Sequence, residues 1–243
     1  MKLQKNQQKN QKENILKNKH NGFIIVASYN KRFLDSAIFC AETLKEYYPE
    51  AHITLFTQDD WIESSLNIIF DNVIGGAPNN KRAKLWALDK TPYDLTVYLD
   101  ADVEIMHSDI QNIFDQIDDE TDILMTKIRG YNGKISVFPG GELTDHCGLF
   151  MYRSTPQVLE FMKQWWLLYQ KQQSGEWKWD TSLYPNELRA WDQWSYWWLQ
   201  NKTEYAIRRK FFEDDARWNF VNGYKASETN QPIIIYHHTV RPS

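Results

Sequence analysis

Two carboxylates one residue apart, Asp100 and Asp102, stand directly after the apolar run Leu95-Thr-Val-Tyr-Leu99. Side chains at i and i+2 of an extended segment point the same way, so both can face one divalent cation. Hard oxygen ligands suit Mn2+ or Mg2+, and such an ion can neutralise charge growing on a departing diphosphate. A bare D-x-D triplet occurs on loops by chance. Its position at the end of a buried strand gives this one meaning.

Other residues able to do chemistry are spread along the chain. His237 and His238 follow a short apolar run near the C-terminus, where a neutral imidazole can complete a carboxylate shell and where either reads equally as a polar strand end. Lys81, Arg82 and Lys84 form a positive cluster upstream of the D-x-D, either a solvated helix face or a grip for phosphates. Trp177 and Trp179 lie in the polar stretch SGEWKWD, where aromatic faces can stack on a sugar ring, and are the candidate acceptor contacts. Trp191, Trp194, Trp197 and Trp198 recur at helical steps and read as core.

The elements that must position these residues alternate. Gly22 to Ser28 is a continuous apolar run of strand length, as in a parallel strand covered on both faces. Phe33, Ala37, Ala41, Leu44 and Tyr48 recur at helical steps ahead of Pro49. Further strands are expected at 52–56, 95–99, 123–125, 148–152 and 233–236, with helices at 79–88 and 156–170. Strands alternating with helices imply an α/β fold with a Rossmann-like, mostly parallel sheet that binds ligands at the carboxyl ends of its strands.

Composition bounds the rest. A chain of 243 residues with 42% hydrophobic and 25% charged content can bury one sizeable core, and a single domain over 21–243 is expected, with a first half (21–106) and an aromatic-rich second half (107–243). Residues 1–20 carry six lysines against one glutamate and little to bury, and read as a basic tail. The net charge of -4 therefore conceals a more acidic body, which argues against nucleic acid as a partner. Cys40 and Cys147 lie in no metal-binding spacing, and no apolar run is long enough to cross a bilayer, so a cytosolic protein is expected.

The segment TPYDLTVYLDADVEI is similar to the D-x-D segment of GT-A glycosyltransferases, and the likeness continues in order along the body of the chain. It implies a GT-A fold and transfer of a sugar from a nucleoside-diphosphate sugar, with UDP-sugars favoured, to a glycan or other hydroxyl acceptor. By resemblance, Ala27, Ser28 and Tyr29 hold the nucleoside, Lys81, Arg82 and Lys84 face the diphosphate, and Ala101 lies with Asp100 against the donor. Trp191-Asp-Gln-Trp matches the D-Q motif of glycosyltransferase family 8 and its relatives, making Asp192 and Gln193 the catalytic candidates. Asp145 is a further donor-sugar candidate, and Asn219 resembles a late Asn near the active site. The resemblance prefers His237 as the third metal ligand, with His238 beside it. An inverting reaction would need a carboxylate base, for which Asp192 and Glu187 are the candidates; a retaining front-face route would not. The sequence departs from the family at His146-Cys147, where Asn-Ser is usual, and at Arg241-Pro242, a faint counterpart of the C-terminal G-x-K-P-W.

Two other classes compete. A haloacid-dehalogenase-type phosphatase also carries a D-x-D after an apolar strand, with Glu213-Asp-Asp as its later acidic group. A carbohydrate-binding protein on an inactive GT-A scaffold is the other, since fold alone does not establish activity.

Overall fold

The apolar run NGFIIVA forms strand β1 (Asn21–Ala27), buried along its length after the first residue. Successive side chains serve opposite faces: Phe23, Ile25 and Ala27 join one hydrophobic cluster, Ile24 and Val26 another. The structure is a computed structural model and describes residues 21–129, 137–138 and 141–238. The basic tail and the Arg241-Pro242 pair lie outside the described residues.

Asn30 starts helix α1 (Lys31–Tyr47), its side chain accepting a hydrogen bond from the Arg32 N–H. The helix buries Leu34, Ala37, Cys40, Ala41 and Leu44, a stripe at three- and four-residue steps that covers one face of the sheet. Strands β2 (Ile53–Thr57), β3 (Asn72–Ile74), β4 (Leu95–Leu99) and β5 (Val103–Ile105) follow. The helix expected over 79–88 is shorter. The Asn80 side chain accepts from the Arg82 N–H at 2.7 Å, a local turn that competes with helix, and α2 spans only Lys84–Ala87.

The second half contributes β6 (Ile123–Lys127), β7 (Val137–Phe138), β8 (Gly141–Glu142), β9 (Asp145–Arg153), β10 (Arg209–Phe211), β11 (Phe220–Val221) and β12 (Ile235–His237). Its long helices are α3 (Pro156–Ser174) and α4 (Asp192–Lys202), with the short α5 (Asp215–Trp218). Thr155 caps α3, Pro156 occupies its first turn, and Gly175, in the left-handed region at φ 76°, ends it.

The central sheet has seven strands in the order β10-β6-β9-β4-β1-β2-β3. All neighbours are parallel except β9, which runs against both β4 and β6. Strands of both halves therefore share one sheet. A smaller sheet, β11-β12-β5, carries the C-terminal strand onto the segment after the D-x-D. Helices α3 and α4 cover the other face of the main sheet through Val158, Phe161, Trp165, Tyr196 and Leu199.

Candidate active site

Asp100 follows the last residue of β4, and Asp102 precedes β5. Antiparallel pairing of β12 with β5 sets His237 opposite Val103, and the His238 N–H donates to the Asp102 carbonyl. This register delivers the His237 imidazole to both carboxylates: its Nε2 lies 3.2 Å from Asp102 Oδ1 and 3.7 Å from Asp100 Oδ2. One ligand atom from each of the three residues falls within 4.8 Å of the others, the spacing a small cation needs. Burial works against a charge on His237, but Asp102 and then Asp100 hold its pKa above the ordinary histidine value.

The opposite side of Asp100 is held by β9. The β4–β9 ladder continues past Leu99, with the Asp100 N–H donating to the Gly148 carbonyl at 2.8 Å. Against β6, β9 is irregular: Met125 pairs with Phe150, but Thr126 pairs with His146. Bulges of this kind re-aim side chains beside functional sites, and here both His146 and Gly148 line the cleft. Gly148 must lack a side chain, because a Cβ there would come within 2.4 Å of His237, 2.7 Å of His146 and 2.9 Å of Asp100.

Lys84 lies beneath the pair, with only 7% of its side chain exposed. Its ammonium is 3.1 Å from Asp100 Oδ1, 3.1 Å from Asp192 Oδ2 and 2.6 Å from the Cys147 carbonyl. Burial disfavours this charge, yet Asp100 and Asp192 hold the ammonium above its usual pKa. Asp192, the first residue of α4, is equally buried; burial alone would raise its pKa, but Arg82 and Lys84 hold it below the usual carboxylate range. Tyr98 donates its hydroxyl to Asp100 Oδ1.

These groups surround a cleft of about 260 Å³. Of the residues expected there, Ser28, Lys81, Arg82, Lys84, Asp100, Ala101, Asp102, Asp192, Gln193, His237 and His238 line it. Several expectations need correction. His238 is turned onto Glu104, Nε2 to Oε2 at 2.8 Å, and does not join the three-residue cluster. Lys84, expected to face a diphosphate, lines the cleft but makes its contacts with two carboxylates and a carbonyl, which brace Asp100. Asp192 is locked between two cations and is unsuited to accept a proton, while Glu187 is exposed and outside the cleft lining.

The remaining placements differ for packing reasons. Ala27 is sealed in the core, and Tyr29 stands half-exposed at φ 72°, its N–H donating to Gln58 Oε1. Asp145 is buried and paired with Arg209 at 2.6 Å, outside the cleft lining. Trp177 and Trp179 turn inward onto an aromatic cluster: Trp177 stacks on Trp194 with planes 4° apart, and Trp179 donates its N–H to the Tyr184 carbonyl. Their faces are thus committed to packing, whereas Trp191 lines the cleft. Asn219, expected as an acceptor contact, is buried outside the cleft lining, its carboxamide bonding Thr126, His146 and His237. Neither His146 nor Gly148 was a candidate from sequence; the signals were the departure from Asn-Ser and the likeness of Cys147-Gly-Leu-Phe-Met-Tyr to the glycine-bearing strand of the family.

The same architecture occurs in solved glycosyltransferases. The glycosyltransferase GlyE of Streptococcus pneumoniae superposes with a TM-score of 0.63 at 15% identity, over 91% of this chain and 55% of that one. The chain has the GT-A fold. The GT-A galactosyltransferase LgtC, solved with donor and acceptor sugar analogues, gives 0.56 at 14% identity, over 89% of this chain and 86% of LgtC. Mouse xyloside xylosyltransferase 1 gives 0.52 at 11% identity over 89% of this chain. The chain thus spans little more than half of GlyE but most of LgtC. No protein-family model and no curated protein matches its sequence.

Within this GT-A fold the D-x-D follows β4, at the carboxyl edge where α/β sheets bind ligands. The acidic group a phosphatase would require is elsewhere: Glu213 and Asp214 line a separate hollow with Asp109 and Arg217. No helix among the described residues is long and apolar enough to cross a membrane.

Proposed function

We propose that this chain is a metal-dependent glycosyltransferase that moves a sugar from a nucleoside-diphosphate sugar to a hydroxyl acceptor. The observation that carries the reading is the convergence of Asp100, Asp102 and His237 on one point beside the cleft. Two carboxylate oxygens and one imidazole nitrogen are a donor set suited to Mn2+ or Mg2+. When bound there, the ion would supply Lewis-acid neutralisation of the leaving diphosphate.

The chain's own groups then divide the work. Lys81 and Arg82 bring positive charge to the cleft for the diphosphate, Arg82 at 3.3 Å from Asp192. Ser28, at the end of β1, lines the cleft for the nucleoside, its hydroxyl donating to the Pro78 carbonyl at 2.5 Å and so free to accept. Gln193 Oε1 is buried without a hydrogen-bond partner among the described residues, and offers an acceptor to a donor-sugar hydroxyl. Asp192 stays ionised and contributes fixed negative charge near a carbon that becomes electron-deficient as the diphosphate leaves, rather than acting as a base.

Calorimetry of UDP with the purified protein tests the reading: binding should require Mn2+ or Mg2+, and a panel of UDP-sugars should show cation-dependent sugar release. Binding of UDP that ignores the cation, with no turnover of any donor, would count against it.

A further inference from the structure

A single carboxamide joins the two imidazoles beside the cleft. Asn219 Nδ2 lies 2.9 Å from His146 Nδ1 and 3.0 Å from Thr126 Oγ1, and Asn219 Oδ1 lies 3.0 Å from His237 Nδ1. The proton on each atom follows from groups that can play only one role. The Gly148 backbone N–H can only donate, and it points at His146 Nδ1 at 3.1 Å, so that nitrogen carries a lone pair. The Thr126 hydroxyl donates to the Leu149 carbonyl at 3.3 Å, leaving its oxygen to accept. Both anchors require the amide to present its NH2 to His146 and Thr126. Its oxygen must then face His237, and His237 Nδ1 must carry the hydrogen.

We infer that Asn219 is a positioning residue that fixes the hydrogen on His237 Nδ1, complementary to the bare Nδ1 that the Gly148 N–H imposes on His146. His237 is held with a hydrogen on Nδ1, so Nε2, which faces Asp102 and Asp100, is the nitrogen left to give up its proton to a cation. His146 becomes Nε2–H, an N–H donor in a ring that lines the cleft. The order is imposed from two backbone groups, the Gly148 N–H and the Leu149 carbonyl, and relayed by one side chain that is itself 1% exposed. Outer partners of this kind orient a metal-binding histidine and raise its affinity. The value of the assignment to catalysis rests on the glycosyltransferase reading above, but the tautomers themselves do not.

Two-bond proton–nitrogen correlation spectra of the cation-free protein, with isotopically labelled histidines in alkaline buffer, read the tautomers directly. The expected pattern is a hydrogen-bearing Nδ1 in His237, and a pyridine-type Nδ1 with a pyrrole-type Nε2 in His146. Asn219→Leu removes the acceptor for His237 while the Gly148 N–H still faces His146 Nδ1, so the hydrogen should leave His237 Nδ1 while His146 is unchanged. Asn219→Leu should weaken Mn2+ binding about 10- to 100-fold. Like tautomers in both rings of the unaltered protein would overturn the assignment, as would an Asn219→Leu variant in which His237 Nδ1 keeps its hydrogen. Complementary tautomers in a protein that binds no cation would sustain the assignment and sink the glycosyltransferase reading alone.

Discussion

His237 Nε2 lies 3.2 Å from Asp102 Oδ1 because β12 pairs antiparallel with β5 and sets His237 against Val103. The neighbouring His238 leaves on the other side and meets Glu104. The two histidines therefore make opposite predictions. Asp102→Ala and His237→Ala should abolish Mn2+-dependent UDP binding in calorimetry. His238→Ala should leave it in place and cost less than about 1 kcal/mol of stability, as expected for an exposed pair. Equal losses in the two histidine variants would contradict the register.

Protons compete with the cation for His237. Its pKa is raised above the ordinary value by Asp102 and Asp100, so the ring begins to protonate before pH falls to the usual histidine range, about 6.5. A cation needs the neutral ring. Mn2+ affinity should accordingly decline as pH drops from mildly alkaline towards 6.5 or so, and recover on return. Affinity that stays flat across this interval in a calorimetric series would remove His237 from the ligand set.

Lys84 holds two carboxylates that would otherwise repel. Lys84→Met leaves Asp192 buried with only Arg82 against it and Asp100 without its brace. Removing one partner of a buried pair costs about 3 to 5 kcal/mol, to be measured by urea unfolding. A loss under about 1 kcal/mol would show that the ammonium is no more than a surface charge.

Gly148→Ala separates site from scaffold. The added methyl would meet His237, His146 and Asp100 at once, and overpacking of this sort costs about 1 to 3 kcal/mol. The variant should stay folded by circular dichroism while Mn2+ affinity drops sharply. Unchanged affinity would mean the three side chains shift aside freely.

The aromatic cluster should behave as core. Trp194 is fully buried, stacked between Trp177 and Trp197 with planes 4° and 12° from its own. Trp194→Ala should cost about 3 to 5 kcal/mol. Trp177→Ala should lower the melting temperature without a selective rise in KM for an acceptor. A selective rise would restore Trp177 as an acceptor platform.

What the sequence determined is local or nearly so. The apolar runs of β1 and β4, the stripe through α1, and the D-x-D at the end of β4 follow from period and composition, because burial on both faces of a strand or one face of a helix is written into neighbouring residues. The likeness to GT-A enzymes was legible from motifs in order, and Asp100, Asp102, Asp192 and Gln193 do line the cleft. Tertiary structure decided the rest. A one-residue slip in pairing turns every side chain to the other face, so the choice between His237 and His238 belonged to the β5–β12 register and not to either residue's type. Trp177 and Trp179 sit in a polar stretch and still turned inward, since their partners Trp194 and Trp198 come from another element. Lys84 and Asn219 took their places beneath the site for the same reason: a buried polar group finds partners wherever the folded chain brings them, and sequence spacing carries no record of that meeting.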